Sequence, residues 1–254
     1  MYGLFAPRRG GNIHAWGDAE GRSRVDDVIA VLADIHADVV VLNEVLSPSG
    51  PLTRLAQRLG KEAFFGPAAF GGNAVLAPAG AQARAVTLSV RGGEARNALV
   101  VNVGDVTVVG VHLDHRLEDV RCAQLRVLLA ELSGIGPHAI VGDLNALALD
   151  DYPEARMAEI AAMRARYGHE VARADVVTHL RDAGYVDSAR VGVAPGPLPE
   201  RLWRTCWTGT RIDHIWLSAD LARTAAVDSI RVIDSDASDH VPVVVDLKPG
   251  SSLA

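Results

Sequence analysis

Five segments of the sequence end or interrupt an apolar run with a carboxylate, an amide or a histidine. Glu44 follows Val-Val-Val-Leu-Asn, and His112 follows Val-Val-Gly-Val. Asp143, and Asn145 two residues on, follow Ala-Ile-Val-Gly. Asp213 lies inside Arg-Ile-Asp-His-Ile-Trp-Leu, and Asp239-His240 precede Val-Pro-Val-Val-Val. Each residue alone is more often structural than chemical. Brought to one rim, they would have a specific chemistry. Carboxylate and amide oxygens suit Mg²⁺, which takes one or two protein carboxylates together with substrate phosphate oxygens. Histidines with carboxylate partners suit proton transfer and the stabilisation of developing charge. On an extended chain Asp143 and Asn145 would point to the same side, where they could position a water and a phosphoryl oxygen together.

Buried strands must carry these residues. The run over 38–42 is continuous, apolar and β-branched, the pattern of a strand covered on both faces. Similar runs predict strands over 74–77, 85–90, 98–103, 106–111, 139–141, 212–217, 226–233 and 241–247. Val25, Val28, Ile29, Leu32 and Ile35 recur at helical spacing. Further helices are predicted over 52–59, 117–132, 154–166 and 173–183. Several strands follow one another through short turns such as Val103-Gly104-Asp105-Val106, and helices enter only at intervals. This mixture predicts an α/β fold of mixed sheets with helices outside.

The chain has 254 residues and a net charge of −6, with 49% hydrophobic and 22% charged residues. These values fit one globular domain over 1–254 and exclude disordered, collagen-like and coiled-coil classes. Of the 25 basic residues only Lys61 and Lys248 are lysine, but no basic run or aromatic-interleaved basic stripe marks a nucleic-acid track. Two cysteines, Cys122 and Cys206, make no disulfide framework. No 18-residue apolar run spans a membrane, and residues 1–11 lack a signal-peptide core, so a cytoplasmic location is expected.

The ordered set Leu42-Asn43-Glu44-Val45, Val111-His112-Leu113-Asp114-His115, Arg121-x-x-Gln124, Gly142-Asp143-Leu144-Asn145-Ala146, Thr210-Arg211-Ile212-Asp213-His214-Ile215 and Ser238-Asp239-His240-Val241-Pro242 resembles the endonuclease/exonuclease/phosphatase superfamily over about residues 12–247. The resemblance implies a four-layer sandwich, two mixed β-sheets packed face to face with helices on both outer faces. It also implies Mg²⁺- or Mn²⁺-dependent hydrolysis of a phosphoester. By motif, Glu44 matches the main metal-binding glutamate and Asp239 lies at the metal side. Asp143 and Asn145 match the pair that activates water and holds phosphate. His240 matches the histidine on the scissile phosphate, Asp213 the acid that orients it, and His112 a second phosphate-contacting histidine. Asn73 resembles a position near the phosphate. Arg121 would help shape the rim or join a polar network with Gln124. Members usually begin with an apolar strand that delivers an Asn. Here Asn12 and His14 are the candidates, although Ala6-Pro7-Arg8-Arg9-Gly10 is unlike a buried strand.

Other chemistries fail on spacing. His112 and His115 have no cysteine partners at zinc spacing. No G-x-S-x-G elbow occurs, and Gly60-Lys61 lacks the first glycine of a phosphate-binding loop, with Leu55 in its place. Trp203 and Trp207 would either line a substrate groove or plug the core. Two readings remain: a metal-dependent phosphoesterase, most simply a phosphodiesterase or nuclease, and a catalytically weak member that binds a phosphate ligand. The substrate stays open among nucleic acid, a lipid headgroup and a small phosphoester. No protein partner is indicated.

Overall fold

The helical stripe Val25, Val28, Ile29 and Leu32 closes as α1 (Arg24–Ile35), with all four residues buried. The computed structural model describes residues 24–68 and 71–250. After α1 come β1 (Val40–Val45) and α2 (Pro51–Leu59). Pro51 opens α2 without losing a helical hydrogen bond, and Gly60 ends it in the left-handed conformation. Next follow β2 (Glu62–Gly66), β3 (Gly72–Ala77), β4 (Gln82–Thr87), β5 (Asn97–Val103) and β6 (Val106–His112). Then come α3 (Glu118–Glu131), β7 (His138–Asp143), α4 (Glu154–Arg166), α5 (Asp175–Asp182) and β8 (Val186–Asp187). The described chain closes with β9 (Asp213–Leu217), α6 (Ala219–Thr224), β10 (Ala225–Val232) and β11 (Val243–Pro249).

The large sheet has the order β4-β5-β6-β7-β9-β8. Within it β6 and β7 run parallel, and the other pairs are antiparallel. A three-stranded sheet, β1-β3-β2, faces it, and β10 pairs with β11. Val41 and Val75 of the smaller sheet pack on Leu99 and Val101 of the larger. The outer face of the large sheet is covered by Leu125 and Leu128 of α3 and Val176 and Leu180 of α5. Helices α1 and α2 cover β1 and β3 on the other side. The result is a four-layer sandwich, as the motifs implied. No helix among the described residues is long and apolar enough to cross a membrane.

The elements that sequence pattern missed are those that bury least. Strand β2 lies at an edge, exposes Glu62 and Ala63, and carries only the short apolar stretch Ala63-Phe64-Phe65. Strand β8 has two residues, and α6 is a short helix capped by Ser218 Oγ. The strand predicted over 85–90 is observed at 82–87, largely exposed except at Val86.

Gly110 sits where β6 meets the facing sheet. A Cβ there would lie 2.9 Å from Val75 Cγ2 and 3.0 Å from Val41 Cγ1. Gly110→Val is therefore expected to destabilise the fold by about 1–3 kcal/mol through overpacking. Thermal denaturation would read this as a melting point lowered by several degrees.

Candidate active site

Three neighbouring strands deliver the centre of the site. His112 pairs in register with Asp143, and Asp143 pairs with Asp213. Residues opposite one another on adjacent strands project from the same face. His112, Asp143 and Asp213 are therefore side by side at one end of the large sheet, all buried. The glycine before Asp143 is required. Gly142 has φ +142°, and a Cβ on it would meet Val111 O at 2.0 Å. Asn145 does converge with Asp143, but not by extended alternation. The strand ends at Asp143, Asn145 turns back with φ +50°, and its N–H donates to Asp143 Oδ1 at 2.7 Å.

A β-bulge aims Glu44. Leu42 pairs with Ala74 and Val45 with Gly72, so β1 carries one extra residue between them. Glu44 has φ +57° and is exposed. Gly71 packs against its backbone, where a Cβ would lie 2.9 Å from Glu44 Cα. Surrounding protein first, and then the Asp239 carboxylate, push the Glu44 carboxyl above its ordinary value. Inside the bulge, Asn43 is buried and bridges the two sheets. Its Nδ2 donates to Val111 O (3.1 Å) and Asn73 Oδ1 (2.7 Å), and its Oδ1 accepts from the Asp143 N–H (3.0 Å).

His240 closes the cluster from the loop before β11. Its Nδ1 lies 2.9 Å from Asp213 Oδ2. Donor atoms of Asp143, Asp213 and His240 lie within 4.8 Å of one another. Burial opposes the charges of both Asp213 and His240, but their attraction and hydrogen bond outweigh it. Asp213 is held well below the carboxylate range and His240 well above the imidazole range. At Asp143 the attraction of His240 is outweighed. Burial, then repulsion from Asp213, push its carboxyl up to about 7.

His112 has a fixed tautomer. Arg96 Nη1 lies 3.0 Å from His112 Nδ1, and a guanidinium can only donate. Nδ1 therefore accepts and Nε2 carries the ring proton. Burial, and then the Arg96 charge, hold the ring well below the usual imidazole value, so it is neutral at pH 7. Nε2 lies 3.6 Å from Asp143 Oδ2 and 3.0 Å from the Asn145 amide nitrogen. The amide orientation is set by its donation to Leu113 O at 3.1 Å. Two N–H donors thus face one another beside a carboxylate.

The structure does not bring every candidate to this centre. The Asn73 amide is buried and committed to Asn43 and to the backbone of Asn97. The Arg121 guanidinium is buried between Glu118 and Glu170, with a further bond to Asp114 O, so it is committed to a structural network. Gln124 buttresses the backbone after β6 through the Asp114 N–H. Asn12 and His14 lie outside the described residues. Trp203 packs on Tyr152, whereas Trp207 is exposed. Sequence reasoning missed Arg96, whose single Glu94-x-Arg96 pattern carries no distance information. It also missed the role of Arg211, which precedes Asp213 and binds Asp151 (2.6 Å) and Asp187 (2.7 Å) in a buried network.

A family model described as Endonuclease/Exonuclease/phosphatase family matches residues 14–240. The chain belongs to this family. No curated protein sequence matches it. Among solved structures, an endonuclease/exonuclease/phosphatase from Beutenbergia cavernae superposes with a TM-score of 0.67 at 21% identity, covering 98% of this chain and 70% of that one. The Neisseria 3′ phosphatase NExo, solved with a product DNA hairpin, gives 0.67 at 21% identity, covering 89% and 94%. ANGEL2, a 2′,3′-cyclic phosphatase solved with adenosine-2′,3′-vanadate, gives 0.63 at 15% identity, covering 88% and 85%. At these identities the likeness is one of fold, and the family joins nucleases and phosphatases.

The endonuclease/exonuclease/phosphatase fold of this chain ties His240 to Asp213, and that tie is measurable. Asp213→Asn is expected to lower the titration midpoint of His240, because attraction to the carboxylate is what raises it. Side-chain NMR of the histidines across pH would show the shift. An unchanged midpoint would contradict the pairing.

Proposed function

We propose that the protein is a divalent-metal-dependent phosphoesterase that hydrolyses a phosphodiester by attack of water on phosphorus. The observation that carries this reading is the convergence of unlike groups on one point. Two N–H donors, His112 Nε2 and the Asn145 amide, lie 3.0 Å apart beside the Asp143 carboxylate. Two donors facing one another have no mutual bond to make, and a phosphoryl oxygen accepting from both would resolve the mismatch.

The donor set also fits a hard cation. Burial and then the Asp239 charge raise the Glu44 carboxyl, and a divalent ion held by the two residues would offset their repulsion. Glu44 and Asp239 would hold the ion, Mg²⁺ or Mn²⁺, with Asp143 close by. When bound it would offset charge on the phosphate.

The remaining work falls to the chain itself. His240, kept cationic by Asp213, offsets negative charge growing on the phosphoryl oxygens. His112 and Asn145 donate to one of those oxygens. Asp143 orients the attacking water and accepts its proton, a role suited to a carboxyl shifted toward neutrality. Arg96 and Asn43 act through others, one fixing the His112 tautomer and one bracing the Asp143 backbone.

Asp143→Ala and His240→Ala are each expected to lower hydrolysis of bis-p-nitrophenyl phosphate with Mg²⁺ by about 10²–10⁴-fold. Circular dichroism should show the fold intact, and EDTA should remove the wild-type activity. Activity equal to wild type in both variants would overturn the reading.

The raised Asp143 carboxyl makes a second test. It is pushed up to about 7, so part of the population holds a proton that a cation bound close by must expel. The calorimetric enthalpy of Mg²⁺ or Mn²⁺ binding near pH 7 should therefore vary with the ionisation enthalpy of the buffer. Cation binding with no turnover of any phosphoester would instead favour a phosphate-binding module.

A further inference from the structure

Beside this cluster lies a pair of exposed aromatic rings that the phosphoester chemistry does not use. Trp207 is 63% exposed and Tyr167 54%. A tryptophan usually buries most of its ring, and two large rings exposed together mark a binding surface more often than a random surface residue does. Their centroids are 5.8 Å apart in edge-to-face contact at 81°, so the contact uses one broad face and the rings stand at right angles as floor and wall of a corner.

The Trp207 backbone is held beside the site by a stiff turn. Thr205 N–H donates to Thr210 O and Gly209 N–H to Cys206 O. The hydroxyls of Thr208 and Thr210 lie 2.7 Å apart inside the turn, and Arg156 donates to Thr208 O and Gly209 O. The same turn is fastened to the loop that carries His240. Trp207 N–H donates to Asp239 O at 2.7 Å, Val241 N–H donates to Thr205 O, and Cys206 forms a β-bridge with His240. Thr205 Oγ1 in turn accepts from the Asp213 N–H. Trp207 is thus one residue from the strand bridge to His240 and shares its supports.

The neighbours of Tyr167 define what the surface fits. Arg166 lies 5.9 Å from the Tyr167 ring centroid, and the His169 ring is 6.5 Å away, both residues being exposed. Aromatic faces with a cation alongside stack unpaired bases and meet the backbone that joins them. A choline headgroup can also use aromatic faces, but its cation would be repelled by Arg166 beside Tyr167, and a small alkyl phosphoester would leave the faces bare.

We propose that Trp207, with Tyr167 at right angles beside it, forms a stacking platform for an unpaired nucleobase, so that the substrate is a nucleotide phosphodiester whose base lies on the indole while its phosphate lies at His240. This deepens the phosphodiesterase reading and rests on it for the phosphate end. The local platform also removes the objection raised by an acidic chain with no basic track, because a short single-stranded end needs one base and one phosphate held, not a long polymer.

The test uses the full chain and two kinds of probe. The p-nitrophenyl esters of thymidine 3′- and 5′-phosphate are compared with methyl p-nitrophenyl phosphate, which has the same leaving group and no base. In Trp207→Ala the ratio of kcat/KM, nucleoside ester over methyl ester, is expected to fall about tenfold, chiefly through KM. Trp207→Phe should restore most of it. An unchanged ratio overturns the platform. Binding is read separately by tryptophan fluorescence during titration with an octathymidylate. Quenching is expected in the wild type and should be lost in Trp207→Phe. Thymidine monophosphate, in a parallel arm, distinguishes recognition of a free nucleotide from that of a strand. No quenching, or quenching that persists in Trp207→Phe, overturns the platform even if no ester is hydrolysed. Quenching without hydrolysis overturns the phosphodiesterase reading and leaves the platform standing.

Discussion

Two carboxylates buried opposite one another set the terms for everything around them. Asp143 and Asp213 occupy paired positions on β7 and β9, and like charges in such a place repel with little water to screen them. His240 relieves one of the two by bonding Asp213, and Asp143 keeps the strain as a raised carboxyl. One register therefore produces two different acids from two aspartates. The first becomes a fixed anion that orients an imidazolium, and the second a group able to exchange a proton near neutrality.

The same logic of forced neighbours runs through the supports. Burial and then the Arg96 charge leave the His112 ring neutral, whereas Asp213 lies against His240 and makes that ring cationic. Two histidines of one site thus hold different charge states, one neutral and one cationic. Farther out, Arg211 between Asp151 and Asp187, and Arg121 between Glu118 and Glu170, are buried cations with their carboxylates satisfied. Arginine serves this purpose because its planar fork meets two acids at once. This gives these two arginines a structural role, separate from any substrate.

Much of this was open to reading in the sequence, for a physical reason. Strands covered on both faces leave continuous apolar runs, so β1, β5, β6, β7 and β9 and their terminal polar residues stood out. Their shared rim could be anticipated from the order of motifs. The turns of chain that aim the side chains could not. Nothing local in Leu-Asn-Glu-Val announces a bulge with Glu44 at positive φ, and nothing in Asp-Leu-Asn announces a left-handed Asn145. Asn73 and Arg121 were readable as polar residues near the site, but the partners that occupy them, Asn97 and Glu170, are distant in sequence. Pairings of that kind depend on tertiary register, which periodicity does not carry.

The buried asparagines beneath the site have one more consequence. Asn43 ties β1 to the backbone of β6 and β7, Asn73 ties β3 to β5, and Asn97 reaches back to Gly66 and Pro67. These amides join the two sheets at the end where the reactive groups emerge. Moving the floor of the site would mean breaking buried hydrogen bonds in both sheets together, an opening as costly as a large part of unfolding. The floor therefore behaves as an anvil, and adaptation to new ligands falls to the loops above it, where a changed residue disturbs no bond between the sheets.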